Sequence, residues 1–569
     1  MTVAQTRLDL KEASSKPIST QARWLRVAVP IALIVTTVFG AGAISVAHGQ
    51  DVNFDQLRSH YYNLFWLFHG RQTDFFPAHV GGLFPSLWNI PWYVMVNRVN
   101  PRVTAGYLGA LDGIALVLVA TLTWRLVASR PSRRAAVALV VFVTVIAASG
   151  PAFRGEFGTT FGDVATAIPF FAGLVALCWS GKVSSRPTTV FLAMCLIGMS
   201  VGLKWTQGPW AIAALLGLLF ATGATQRWIS CLTALGGLFV GFLVAYGPWS
   251  ILMFQDYGSP TFPFFNAIFH SADYLPVNFR DHRWVIGSPL DVLSLPVRWL
   301  TTSRETSQAA MRDWRWFVLL VLGAIWLIQR AFRALDFRPP VRGGSNGADK
   351  QSRDSRAHVE VRTGRFIVTL VLAGYVLSMW QLAYTRYLVV GEMLAGLAML
   401  VILEKIWTWR ASLVPVVVGL AAVVLALTSY TQNWGIVPLG QSWFGVNVHS
   451  PPRNALVLVA GGEDQQYVLP FLPRSDQFGG IGTGSEAFGA AYRRFRSEAS
   501  SFRGSVFLLS PTAQSAWIYK PVLVDLARYK LRFVDNQCTS VGAVTGPMFL
   551  CRLDRVQQPA SQGRTRASD

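Results

Sequence analysis

The feature that most constrains this chain is a succession of apolar runs, each about as long as a bilayer is thick, with Arg and Lys between them. A hydrocarbon core of ~30 Å takes about 20 apolar residues as a helix. Long runs cover 27–47, 104–124, 228–253, 314–329, 366–383, 387–403 and 411–430, and shorter ones 135–149, 164–180, 188–203 and 207–223. The sequence therefore predicts a polytopic α-helical membrane protein with about eleven transmembrane helices. Composition agrees: 52 % of the 569 residues are hydrophobic and only 14 % charged, against ~25 % in soluble domains. Disorder, collagen, a coiled coil or a disulfide scaffold cannot describe the whole chain.

The net charge of +21 would raise the question of nucleic acid in a soluble protein. Here its placement gives another account, because cytoplasmic loops collect Lys and Arg. With the N-terminus inside, the inside loops hold the basic clusters Arg7–Arg26, Arg125–Arg134, Lys182–Arg186, Arg227, Arg330–Arg365 and Lys405–Arg410. An odd number of spans leaves the C-terminus outside, in a multi-pass protein of the cell inner (plasma) membrane with no nucleic-acid partner. Residues 1–26 read as a cytoplasmic N-terminal segment, the run after them as a retained span, and 339–362 as a disordered cytoplasmic linker. The transmembrane module runs over 27–430.

Three outer segments are large: 48–100, 254–312 and 431–569. Transporters do not generally need three of this size; an enzyme working at the outer surface does. The last segment reads as a small α/β domain with a flexible tail, with strands at 455–460 and 505–509 and helices at 486–500 and 516–529. Cys538 and Cys551 fall in it, and an even pair in an oxidising compartment suggests a disulfide, two separate buried thiols being the alternative.

The first outer segment carries the densest chemistry. Asp51 and Asp55 follow the first span directly. Leu57, Tyr61, Leu64, Phe65 and Phe68 recur at helical spacing, so 55–69 reads as an amphipathic helix lying on the bilayer. Asp55 then falls at its N-cap, and capping alone would explain it. His60, His69 and His79 match no ligand spacing, and no metal site is assigned. Glu156 and Asp163 lie at the outer edge of a short span, where ionisable groups usually line a cavity, with helix capping by Asp163 as the alternative. Lys204 and Arg386 are isolated cations at outer span ends, suited to a lipid phosphate, with interfacial snorkelling as the alternative. Arg280, Asp281, His282 and Arg283 follow an aromatic stretch of the second outer segment. Acids and cations on one face suit glycosyl transfer from a lipid phosphate: a carboxylate takes the acceptor proton, and cations stabilise the departing phosphate.

Five stretches in order, DQLRSHYYNLFWLFHGRQTDFFPAH, GEFGTTFGDVATA, GLKWTQGPW, YGSPTFPFFNAIFHSADYLPVNFRD and TRYLVVGEML, resemble successive landmarks of the GT-C class of membrane glycosyltransferases, in a bacterial branch using polyprenyl-phosphate-linked sugars. The resemblance covers roughly 27–430. It implies an inverting transfer from a polyprenyl-phosphate sugar to an envelope glycan or glycolipid acceptor. No cofactor is implied, and a divalent metal stays open. The base position of the class falls on Asp55, with Asp51 as its neighbour; Asp-x-x-x-Asp replaces an adjacent acidic pair. Glu156 and Asp163 are alternative acids. Arg386, Lys204, Arg280 and Arg283 stand as donor phosphate ligands, and His60, Tyr61, Asp74 and His282 as the acceptor or sugar pocket. A polysaccharide polymerase or ligase, or a flippase for lipid-linked glycans, is the competing reading.

Overall fold

The computed structural model describes residues 20–221, 224–335, 347–407, 411–460 and 464–556. The chain is mostly helical. Helices occupy all eleven apolar runs, and six of these are long and apolar enough to cross a membrane: Ala28–His48, Pro101–Val127, Arg227–Tyr257, Arg315–Phe332, Arg362–Gln381 and Thr385–Ile406. The helices Arg133–Ala148, Asp163–Leu177, Pro187–Leu203, Gly208–Ala221 and Val414–Thr428 are shorter. Small residues set the closest packing. A Cβ on Gly198 would lie 2.2 Å from the Leu238 carbonyl oxygen, and one on Gly241 1.9 Å from that of Cys195. The helices Pro187–Leu203 and Ala224–Tyr257 therefore touch backbone to backbone, as small-residue interfaces in bilayers allow. Helix Val389–Ile406 is enclosed along nearly its whole length, while helix Ala224–Tyr257 exposes Leu232, Phe239 and Ile251. That pattern, apolar outside as well as inside, is what a membrane-embedded bundle requires.

The segment read as a linker divides in two. Residues 336–346 lie outside the described residues, but helix Gly347–Gln381 takes in 347–362. The Ala-, Lys-, Arg- and Glu-containing stretch has good helix formers, and the span that follows extends it. The tail 557–569 and residues 1–19 also lie outside the described residues.

The C-terminal segment forms a six-stranded mixed sheet. Its strands are β1 (Asn447–Val448), β2 (Leu456–Ala460), β3 (Gln477–Ile481), β4 (Val506–Ser510), β5 (Leu531–Gly542) and β6 (Met548–Arg555), in the spatial order β1-β5-β6-β4-β2-β3. β2 is parallel to β3 and β4; the remaining pairs are antiparallel. Helices Gly489–Ser501 and Lys520–Arg528 belong to the same domain. Cys538 and Cys551 pair across β5 and β6 and are joined by a disulfide.

This domain is fastened to the segment 48–100. Phe75 extends the sheet beyond β3: its N–H donates to the Phe478 carbonyl at 2.9 Å, and its carbonyl accepts from Gly480 N–H at 2.7 Å. Its ring stacks on Phe495 at 4.3 Å. Arg71 donates to the carbonyls of Arg474 and Asp476, and Gln50–Asp51 pair with Ile436–Val437. The expected bilayer-surface helix is therefore corrected. Its helical part, Tyr61–His69, buries Tyr61, Tyr62, Leu64, Phe65 and Trp66 in the protein interior, with Tyr61 against Phe444 at 4.4 Å. Periodicity reports an apolar face but not what covers it, and here the cover is protein.

Candidate functional site

The segment 48–100 leaves its helix at Gly49, whose φ is +134°. A Cβ there would lie 2.3 Å from the Val437 carbonyl oxygen, so the position excludes a side chain. Asp51 follows, fully buried. Its carboxylate accepts from Asn53 N–H and Nδ2, from Gln56 Nε2, and from Thr160 N–H and Oγ1, all between 2.5 and 3.0 Å. Burial pushes this carboxyl up and the hydrogen bonds only partly offset it. Asp51 is thus a staple between the start of the segment 48–100 and the turn 158–162.

Asp55 has a different setting. It does not cap the turn it begins; the Asn53 side chain does, accepting from Gln56 N–H at 3.0 Å. The Asp55 carboxylate instead receives Arg386 Nη1 at 2.9 Å, with 31 % of its side chain exposed. Burial alone would raise this carboxyl, but Arg386, His60 and Lys204 outweigh it and hold it down at about 2. The turn Gln56–His60 is a single π-helical turn, a form often found at functional sites. Its i→i+5 bonding brings residue 60 round to the side of residue 55. His60 is buried, its ring edge-on to Trp88 at 6.2 Å, and its Nδ1 has no hydrogen-bond partner among the described residues.

The second element is the turn between helix Pro151–Glu156 and helix Asp163–Leu177. Buried Glu156 accepts from Asp163 N–H at 3.1 Å and Val164 N–H at 3.4 Å, so Glu156, not Asp163, caps the longer helix. Burial, then the Asp163 charge, push the Glu156 carboxyl well above its ordinary range. Gly162, at φ +84°, lies under Trp88: a Cβ would meet that ring at 2.0 Å. Only glycine lets the chain turn there.

Asp163 joins the two cations. Its Oδ2 lies 2.7 Å from Lys204 Nζ and 3.2 Å from Arg386 Nε; its Oδ1 accepts from Thr206 Oγ1 at 3.1 Å. Lys204 also donates to the Phe161 carbonyl at 2.6 Å. The Arg386 guanidinium lies over the Phe161 ring at 4.2 Å and near the rings of Tyr384 and Tyr387. Two cations and two carboxylates so lock one another at the entrance of the enclosed helix Val389–Ile406. The π turn supplies Asp55, the capped turn Asp163, the end of helix Pro187–Leu203 Lys204, and the turn Thr385–Leu388 Arg386.

The other residues singled out in the sequence lie elsewhere. Tyr61 donates to Asn97 Oδ1 at 2.8 Å. Asp74 is buried, paired with Arg71 at 2.7 Å and accepting from Phe478 N–H; it helps hold the C-terminal domain. Arg280 donates to the carbonyls of Trp380 and Gln381, closing a helix end. Arg283 pairs with Asp281 at 2.7 Å and is 72 % exposed, and His282 is exposed on the same turn. That turn borders the cluster through Trp284, whose ring lies 4.7 Å from Tyr384. Sequence reasoning missed Thr206, Phe161, Tyr384 and Tyr387. For the tyrosines a signal existed: in Tyr-Thr-Arg-Tyr, aromatics bracket the cation. A second buried cluster, Asp313, Arg315 and Glu392, was also missed. Glu392 caps helix Pro151–Glu156 through Ala152 and Phe153 N–H, and Arg315 pairs with Asp313 at 2.9 Å. It supports the helix that carries Glu156. Among the described residues, no three His, Cys, Asp or Glu side chains converge on a point fit for a metal ion.

Two buried histidines give the fold a pH dependence. Burial above all pushes His60 down to about 4, with Lys204 and Arg386 adding to it and Asp55 opposing; burial, then Arg58, push His79 down to about 3. In the unfolded chain both rings take up a proton below about 6.5. Between that value and their folded values the unfolded state binds more protons. Their contribution to stability is therefore full above about pH 6.5 and is lost as pH falls toward 4, while the raised carboxyls of Asp51 and Glu156 act in the opposite sense. As pH falls from 7.5 to 4, thermal unfolding of His60→Gln is expected to lose less stability than that of the wild type.

No protein-family model, curated protein or solved structure matches this chain.

Proposed function

We propose that the protein is an integral-membrane glycosyltransferase. It moves a sugar from a polyprenyl-phosphate donor to a hydroxyl of an envelope glycan or glycolipid, with inversion. The observation that carries the reading is the arrangement of Arg386, held between Asp55 at 2.9 Å and Asp163 at 3.2 Å with Lys204 on the same Asp163 oxygen. A phosphate group offers the two cations what the carboxylates now offer, with more oxygens. The acceptor O–H gives its proton to the Asp55 carboxylate and its oxygen bonds to the sugar C1. The C1–O bond to phosphate breaks, its electron pair stays on the phosphate, and Arg386 and Lys204 balance that charge. Asp163 is a positioning residue that keeps the cations convergent. In this reading Arg283 guards the mouth, and Asp51, Tyr61 and Asp74 support the frame. The test is full-length protein in proteoliposomes with radiolabelled polyprenyl-phosphate sugar and envelope lipid extract. Label should pass to an extractable glycan, and protein-independent label would overturn the reading.

The same proposal takes all eleven apolar helices as spans, with the N-terminus inside and the C-terminal domain outside. Reporter fusions between Arg330 and Arg365 are expected to score cytoplasmic, and fusions after Gln432 extracytoplasmic. The basic clusters carry this expectation, and a cytoplasmic C-terminal domain would reverse it.

A further inference from the structure

We infer that the segment 264–298, outside the long apolar helices, lies in the leaflet on the side of the charge cluster as a membrane-immersed wall. Its partner is the hydrocarbon edge of that leaflet. The inference rests on surface chemistry and is independent of the catalytic reading. Helix Pro289–Arg298 is apolar on two faces. Val292 and Leu295 point inward and are buried, while Leu290, Leu293 and Val297 are 75, 57 and 52 % exposed. A helix in water keeps one apolar face and covers it; a second, uncovered one marks contact with another apolar phase. The depth fits. The Val292 carbonyl accepts from Tyr375 Oη at 2.6 Å, and Tyr375 lies some 9 Å, at about 1.5 Å per residue, before the end of the span Arg362–Gln381. The chain that leads into the segment is apolar at its surface too. Ile251 and Phe254, both 60 % exposed near the end of the span Arg227–Tyr257, lead into Phe265 and Ile268, 45 and 68 % exposed.

Charge supports hydrocarbon rather than anionic headgroups as the partner. Arg298 is paired with Asp291 at 3.3 Å and with Glu305, and Arg283 with Asp281 at 2.7 Å. Arg283 and Arg298 are thus neutralised within the protein, and Arg280 is turned inward onto the carbonyls of Trp380 and Gln381. Ala383 N–H donates to the Trp284 carbonyl at 2.6 Å, so the wall ends beside the Tyr384–Arg386 turn and brings lipid to its edge.

The test uses the full chain with Cys178, Cys195 and Cys231 changed to Ala and its disulfide kept. One substitution, Leu290→Cys, Leu293→Cys or, as control, Ser497→Cys, carries an environment-sensitive fluorophore in phosphatidylcholine nanodiscs, with and without phosphatidylglycerol. Labels at 290 and 293 are expected to be quenched severalfold by shallow doxyl lipids, weakly by iodide, and equally in both lipid mixtures. The label at 497 should behave in the opposite way. Iodide quenching at 290 and 293 would place them in water. Protection from both quenchers would mean a protein cover, such as a second copy. A dependence on phosphatidylglycerol would transfer the contact to headgroups. Each of these three results overturns the inference.

Discussion

Asp55→Asn is expected to lower turnover by about 10²–10⁴-fold, the range for loss of a general base, while leaving the fold intact. Because Asn53 rather than Asp55 caps the turn, the substitution removes no cap. It also removes the carboxylate that competes for Arg386 Nη1, so binding of polyprenyl phosphate should become tighter as turnover collapses. Few other variants would move the two quantities in opposite directions. Asp51→Asn is the control. Its carboxylate accepts from five donors, and an amide in its place turns N–H toward donors. Its expected signature is a lower unfolding temperature. Full turnover in Asp55→Asn, with weakened turnover but normal stability in Asp51→Asn, would move the base to Asp51.

Arg386→Ala is expected to weaken binding of polyprenyl phosphate by about 100-fold or more, the cost of removing one member of a buried charged contact. The side chain is 7 % exposed and spans Asp55 and Asp163, so the same change leaves Asp55 without its cation. Asp163 keeps Lys204 at 2.7 Å, which should preserve the turn. Arg386→Lys retains the charge but not the fork of donors, and intermediate binding is expected. Calorimetry with polyprenyl phosphate in nanodiscs reads all three proteins.

Much of this is legible in the order of residues alone. Apolar runs announce their helices because a bilayer leaves backbone polar groups no other partner, and Lys204 and Arg386 stand out as cations at span ends. Asp55 and Arg386 both draw notice, yet no spacing shows that residues 331 apart in sequence meet. The difference between Asp51 and Asp55 is also hidden: both follow the first span, and only the positions of Thr160 and Gln56 make one a staple and leave the other to a cation. The helix Tyr61–His69 misleads for a related reason, since its cover, around Phe444 and Phe471, comes from the far end of the chain. Of the sheet, β2 and β4 are visible as apolar runs. β3, with two glycines, and β5, largely polar, carry no such pattern and exist through their neighbours.

The central claim is that Arg386 and Lys204 form a seat for a lipid phosphate. Its most direct measurement compares polyprenyl phosphate with the uncharged polyprenol of the same chain length, binding to full-length wild-type protein in nanodiscs. A preference for the phosphate of about 100-fold or more is expected, falling close to unity in Arg386→Ala. Equal binding of the two lipids by the wild type would contradict the account.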